Sequence, residues 1–328
     1  MKFVYPLFLL QSIWSALVVG TNDYEQEYLA LGAGLWRGTV HLYADSFTSQ
    51  WMPLPFWIFG ATQAFGPSLW TARALTILIG LAALWLACRL ASDLGGREVG
   101  ILTGLLIIGH QWVSGSTLAT THFEGLVMLE LTGLVWALLW KRRRIAMLIC
   151  GLIFLTKPNY WPAIPFALVY AIWQHEAQDW RGKWEPVILT GLALLAPVAF
   201  FADPSHWKIL AYTPASSLVE GMGWRPWFTV MEPAFWRSDY SDGSVVGALQ
   251  LFARRFWLWG VLVCAGLLAG GWKKVEHDTL VIGALFVWLL VWQFLIMGPW
   301  VKQAVAYMIP MMPLVAGQIA VIVWPKSS

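Results

Sequence analysis

The sequence predicts an all-α, polytopic transmembrane helical bundle of about ten spans, with short amphipathic helices in its external loops, on three observations. Of 328 residues, 59% are hydrophobic and only 12% are charged, against roughly 25% charged in an ordinary soluble domain. Apolar runs near the length a bilayer requires recur along the chain. The 24 tryptophans are spread among them, as suits residues that anchor helix ends at membrane–water interfaces. A mean hydropathy of +0.63 excludes disordered, collagen-like and disulfide-scaffold chains. A net charge of +3 leaves no basic field to draw nucleic acid. Cys88, Cys150 and Cys264 stand far apart in apolar runs without a CxxC or Cys/His cluster, and read as small buried hydrophobes.

The runs lie near residues 3–20, 68–91, 99–118, 122–140, 145–157, 160–174, 186–202, 251–270, 279–297 and 303–324. The first is long enough to span and has a poor small-x-small signature, so an uncleaved helix is expected rather than a signal peptide. The fifth and sixth are short. The Thr156-Lys157-Pro158-Asn159 break between them predicts two half-length helices turning near one surface. Orientation follows from the short loops, because Lys and Arg collect on the cytoplasmic side. Lys2, Arg89, Arg97, Lys141 to Arg144, Arg181, Lys183, Lys273, Lys274 and Lys326 all fall in the alternating set that includes both termini. Two long loops, about 21–67 and 203–250, are thereby assigned to the non-cytoplasmic face. No internal repeat or inverted duplication is visible, so the chain reads as a single transmembrane domain over 1–328.

Directly after the first run stand Asp23, Glu25 and Glu27. On a helix Asp23 and Glu27 share a face while Glu25 points elsewhere. Like charges this close raise one another's pKa, which suits a base working near neutral pH; acids at a helix start are equally favoured by the dipole. Thr121-His122-Phe123-Glu124 fits a capping box, in which Glu124 would bond the Thr121 backbone N–H. Glu130 lies deeper in the same run, where an unpaired carboxylate is costly, so it must be neutral, paired or lining a cavity.

The order of motifs in loop one resembles the GT-C superfamily of integral-membrane glycosyltransferases, in the branch of protein O-mannosyltransferases and the lipid A aminoarabinose transferase. The residues that carry the resemblance are the acids at 23–27 with Tyr28, Tyr43 to Asp45, Pro53-Leu54 with Trp57, Phe65-Gly66, and Thr71-Ala72-Arg73. It continues through Ser114 to Glu124, Gly151 to Pro158 (a "G-L-x-x-L-T-K" step), and Lys302 with Tyr307, Pro310 and Pro313. The chain departs from the family's adjacent Asp-Glu pair, having Asp23-Tyr24-Glu25, and carries Glu124 where Asp is usual.

The resemblance implies a polyprenyl-phosphate-sugar donor, so a base must take the acceptor's proton and positive charge must receive the leaving phosphate. It implies Asp23 or Glu25 as base and Glu124 as second acid. Glu124 and Asp23 would be the ligands of a divalent cation such as Mg²⁺ or Mn²⁺. For the phosphate, Lys157, Lys302, Arg73 and Arg255 are expected near the outer face, since basic residues on the disfavoured side invite a functional reading; one of Arg254 and Arg255 could instead snorkel to headgroups. Tyr28, Tyr43, Asp45, His122 and Tyr307 are the expected substrate-binding residues, with His41 a further donor. Loop two, with Trp207, Trp224, Trp227 and Trp236, reads as an acceptor-side lid.

The function expected is transfer of a hexosyl or pentosyl unit from a polyprenyl-phosphate donor to a lipid, glycan or protein acceptor on the non-cytoplasmic face of a bacterial inner membrane. No nucleotide cofactor is expected, because neither GxxxxGK[ST] nor a strand-borne GxGxxG occurs. The rival readings are a lipid or glycolipid transporter, which would place its charges near the bilayer midplane, and a non-catalytic scaffold of the same fold.

Overall fold

The structure, a computed structural model, describes residues 2–21, 23–43, 52–64, 66–110, 118–174 and 180–207, with 261, 283–285 and 287–289 in the C-terminal third. The helices of the N-terminal two-thirds are α1 (Val4–Val18), α2 (Asp23–Trp36), α3 (Pro53–Ala61), α4 (Leu69–Gly95), α5 (Arg97–Gly109), α6 (Phe123–Leu139), α7 (Arg143–Thr156), α8 (Ala163–Trp173) and α9 (Trp180–Phe201). No strand occurs among the described residues.

α6 is the hub. It is apolar all round, as a helix surrounded by others must be, and most of its residues are buried between α4, α7 and α8. α1 wedges between α4 and α5 because two glycines make room for it. A Cβ at Gly104 would lie 2.5 Å from Val4 Cγ1, and one at Gly80 would lie 3.0 Å from the Phe8 ring. α1 thus packs as a core helix, with Val4 and Phe8 fully buried. α4 turns into α5 across one residue, Gly96, whose φ of +93° a side chain would resist.

The outer faces carry large apolar side chains with nothing over them: Leu10 and Trp14 on α1, Leu78 and Trp85 on α4, Leu148 on α7, Val169 on α8, and Leu195 and Val198 on α9. An apolar belt on so many helices is what a lipid-facing surface requires. The first seven expected runs each overlap a helix, but the third, 99–118, is cut short: α5 ends at Gly109, His110 is extended and Leu118 lies in a turn; the count of ten is not established. By length and composition, two helices among the described residues, Leu69–Gly95 and Gly182–Phe201, can cross a membrane unaided; Val4–Val18 and Ala163–Trp173 are apolar but shorter. The last three runs lie outside the described residues apart from 261, 283–285 and 287–289. Of these, Leu285 and Leu289 are buried and Trp288 Nε1 donates to Pro162 O at 2.7 Å, so the late chain returns to the start of α8.

Loop one is largely helical. α2 begins among the acids, and α3 begins at Pro53, where a missing N–H costs nothing and φ is preset. The two cross with their backbones in contact: a Cβ on Gly60 would lie 2.4 Å from the Gly32 carbonyl carbon, and one on Gly32 would lie 2.6 Å from Phe56 O. Gln63 closes the following turn, accepting from Ser68 N–H at 2.8 Å and donating to Ser68 O at 3.0 Å, so that Ser68 can cap α4. The break after α7 is a 3-10 turn, Pro158–Tyr160, as the Lys-Pro step predicts.

Gly60→Ala is expected to force α3 off α2 at a cost of about 1–3 kcal/mol, read as a lower thermal midpoint of the detergent-solubilised protein. Gly109→Ala, with nothing within 4 Å of the added Cβ, should leave the midpoint unchanged.

Candidate active site

The site is built where the N-termini of α2, α4 and α6 meet the C-termini of α1 and α7. Glu25, in the first turn of α2, is fully buried. Arg73, in the first turns of α4, grips it side-on with a two-point contact, Nε to Oε1 at 2.9 Å and Nη2 to Oε2 at 2.7 Å. Arg73 also donates to the carbonyls of Ala16, Val19 (2.9 Å) and Gly20 (3.1 Å), the unsatisfied acceptors at the end of α1. A guanidinium has five N–H donors, and these five contacts engage them all. Glu25 Oε1 also accepts the Thr121 backbone N–H at 2.7 Å.

That last bond decides the environment of Glu124. In a capping box the Thr121 N–H would belong to Glu124; here it belongs to Glu25, and the helix N-cap is His122 with no side-chain cap. Glu124 instead meets His122, its Oε2 in direct contact with Nδ1. It is 5% exposed in the first turn of α6, where the helix dipole favours a carboxylate, and His122 opens toward the surface at 21%. The capping alternative is therefore replaced by an acid–imidazole pair.

Lys157 leaves the end of α7 in extended conformation and is buried, its Nζ lying 3.7 Å from the centroid of the Phe123 ring. Phe123 also packs on the His122 ring, centroids 4.8 Å apart, so one aromatic ring is shared by the lysine and the imidazole. An ammonium over an aromatic face is attracted by the ring's quadrupole. Phe123 also meets Tyr28 edge-on at 6.1 Å, and Tyr28 packs on Phe56 and Phe59 of α3. Glu25 and Tyr28 lie three residues apart on α2, so one face of that helix supplies both contacts to the start of α6.

Tyr43 belongs to a second cluster. Its φ is +73°, it is 1% exposed, and its ring meets Phe200 at 5.5 Å and His206 at 4.7 Å, beside Phe154 and Met52. Burial pushes its phenol pKa well above the ordinary value, so it stays protonated. Trp207, expected in the lid, ends a 3-10 turn, Pro204–Trp207, and is tied back to the end of α9 by Nε1 donating to Phe201 O at 2.8 Å.

Of the residues expected from sequence, Glu25, Arg73, Tyr28, His122, Glu124 and Lys157 converge. The roles of two of them differ from expectation: with its oxygens engaged by Arg73 and Thr121, Glu25 is poorly placed as a base, and with five donors engaged, Arg73 has none left for phosphate. Asp23 begins α2, its side chain outside the described residues, as are Asp45, Arg254, Arg255, Lys302, Tyr307 and the tryptophans at 224, 227 and 236. His41 is exposed. For a cation, His122 and Glu124 offer two adjacent ligands, but among the described residues no three His, Cys, Asp or Glu side chains converge. They do not form a closed metal site by themselves. Phe123 and Thr121 were not legible as site residues, although both flank the acid in sequence.

Residues 51–201 match the family described as dolichyl-phosphate-mannose-protein mannosyltransferase. Crystal structures of ArnT from Cupriavidus metallidurans share the fold: one bound to undecaprenyl phosphate, at TM-score 0.62 and 17% identity, and one in the apo state, at TM-score 0.63 and 16% identity. Each match covers 100% of this chain and 60% of the other, so the chain spans about 60% of the length of those proteins. No curated protein matches the sequence. The resemblance to GT-C enzymes read from the motifs is supported both by the family matched and by the fold.

Glu25→Gln is expected to destabilise the protein by about 3–5 kcal/mol, because it leaves a buried guanidinium uncompensated. Arg73→Lys should fare no better, since an ammonium cannot reproduce the fork. Both are read as lower midpoints in thermal or SDS unfolding of the solubilised protein.

Proposed function

We propose that this chain, a GT-C-type membrane protein by fold and motif, is a glycosyltransferase that moves a sugar from a polyprenyl-phosphate carrier to an acceptor on the non-cytoplasmic face. The observation that carries this reading is the juxtaposition at the start of α6, where His122 touches Glu124 and the Lys157 ammonium lies over Phe123 between them in the chain. An acid–imidazole pair that shares an aromatic ring with a buried lysine offers the two functions the reaction needs. The acceptor's oxygen or nitrogen attacks the anomeric carbon, the bond from that carbon to the phosphate oxygen breaks, and the acceptor's proton passes to the Glu124 carboxylate. The departing phosphate takes the electron pair of the broken bond and so gains a second negative charge, which Lys157 stabilises. Attack opposite the leaving group inverts the anomeric carbon.

Glu25 and Arg73 hold the geometry in this reading. They tie α1, α2 and α4 to the Thr121 amide, three residues before Glu124. Lys302, Arg255, Asp45, Tyr307 and Asp23 belong to the proposal through the motif resemblance, as do the Mg²⁺ or Mn²⁺ option and the hexosyl or pentosyl donor. The charged loops opposite the site fit a cytoplasmic face: Arg143 donates to Glu185 at 3.0 Å and also to the Gln174 carbonyl, closing the far ends of α7, α8 and α9.

The test is transfer of radiolabelled sugar from a panel of polyprenyl-phosphate sugars by purified protein with membrane-extract acceptors. Wild-type transfer that falls by about 10²-fold or more in Glu124→Gln would support the assignment. Lipid movement across liposome bilayers with no donor in the panel giving transfer would replace it with the transporter reading. Transfer unaffected by Glu124→Gln would remove Glu124 from the chemistry.

A further inference from the structure

Glu130 lies in the middle of α6, two turns below Glu124, and is 4% exposed inside the bundle. An ionisable side chain at such a place is expensive to keep. Its Oε1 accepts the Thr156 hydroxyl at 2.7 Å, while its Oε2 has no hydrogen-bond partner among the described residues. Thr156 is the last residue of α7, fully within the packed interface, and its hydroxyl also reaches the Leu152 carbonyl at 2.8 Å. The next residue is Lys157, where the backbone abandons the helix for φ −164° and ψ 136°.

We infer that Glu130 is a positioning residue for the Lys157 cation, acting through the Thr156 hydroxyl. The inference rests on Lys157 being the donor-phosphate ligand, as proposed above. Side chains on a helix lean toward its N-terminus, so the Glu130 carboxyl reaches up the bundle toward the end of α7. The Thr156 contact then fixes the last turn of α7 against α6 at the point where the chain breaks out. The direction in which Lys157 departs is set by that last turn, and Lys157 returns to α6 over the Phe123 ring. Glu130 and Phe123, seven residues apart, lie on the same face of α6. One helix face therefore holds both the anchor beneath the lysine and the ring on which its ammonium rests. A threonine side chain alone would satisfy its own helix through Leu152; the carboxylate makes it a crosslink between α6 and α7.

The test measures binding of undecaprenyl phosphate, with undecaprenol as the phosphate-free control, to protein in phosphatidylcholine nanodiscs. Thr156→Val, which keeps the shape and removes the hydroxyl, is expected to weaken binding of the phosphate lipid by about tenfold, the worth of one such bond, with undecaprenol unaffected. Thr156→Ser and Glu130→Gln, which keep a partner for the crosslink, should bind within about twofold of wild type, and Glu130→Leu should match Thr156→Val. Lys157→Ala should weaken binding too, and Thr156→Val added to it should cost nothing more, as non-additivity requires of groups acting as one unit. Multiplying losses in the double variant would overturn the inference while leaving Lys157 as ligand. So would wild-type binding by Thr156→Val, or a Glu130→Gln loss as large as that of Glu130→Leu. Equal binding of both lipids by wild type, or no loss in Lys157→Ala, would overturn the phosphate role of Lys157 and this inference with it.

Discussion

The arrangement depends on one buried ion pair. Two charges withdrawn from water are costly unless every donor and acceptor finds a partner, and Glu25 with Arg73 comes close to that limit: the guanidinium's five donors are distributed over a carboxylate and the open carbonyl end of α1. Because those groups come from three helices, the pair is also a joint. α1 stops where Arg73 takes its last carbonyls, α2 starts with the acid that Arg73 holds, and the remaining reach of that acid fixes the Thr121 amide. The entry to α6 is thus set from the side rather than by its own cap, and Glu124 is left to meet His122 instead of being consumed as a capping group.

A second constraint comes from α6 itself. A helix apolar on every side has no preferred rotation from patterning, so its few polar groups determine how it sits. Glu124 faces His122, Glu130 faces Thr156 of α7, and the chain before it is held by Glu25. Close packing supplies the rest. Gly80 and Gly104 admit α1, and Gly32 against Gly60 lets α2 and α3 touch along their backbones. Small residues at helix crossings are the usual means of close approach in membranes, where water-driven burial is weak.

Much of this was legible in the sequence, for physical reasons. Several apolar runs mark helices to within a few residues, as 3–20 for Val4–Val18 and 122–140 for Phe123–Leu139, whereas the run at 99–118 is helical only to Gly109 because composition does not show where the backbone leaves the helix. The run at 68–91 extends a further turn to Gly95 because Gly96 can end it with a positive φ. That at 186–202 begins earlier, at Trp180, because Pro186 sits inside α9 rather than at its start. The Lys-Pro break marks the turn between the short helices α7 and α8, since proline cannot continue the first of them. The Glu25–Arg73 pair was not legible, since 48 residues separate the partners and a carboxylate beside two others looks like a base until its ligand is seen. Phe123 was missed because an aromatic residue at a membrane helix start has an ordinary interfacial explanation. The Thr121 capping box was plausible by spacing and wrong by competition, as a charged acceptor from elsewhere took the same amide.

The same competition explains why the acids of this chain differ in what they can do. A carboxylate takes part in proton transfer only if a lone pair faces a reacting group, and the described contacts rank the three acids by that measure. Glu25 accepts three donors, two from a guanidinium, and is committed to holding helices together. Glu130 accepts one hydroxyl beneath the lysine, inside the bundle and away from the surface. Glu124 alone of the three touches an imidazole, and that imidazole is the more exposed partner of the pair. The difference follows from position: the same functional group is fully engaged, half engaged or paired with an imidazole according to which donors the fold brings to it.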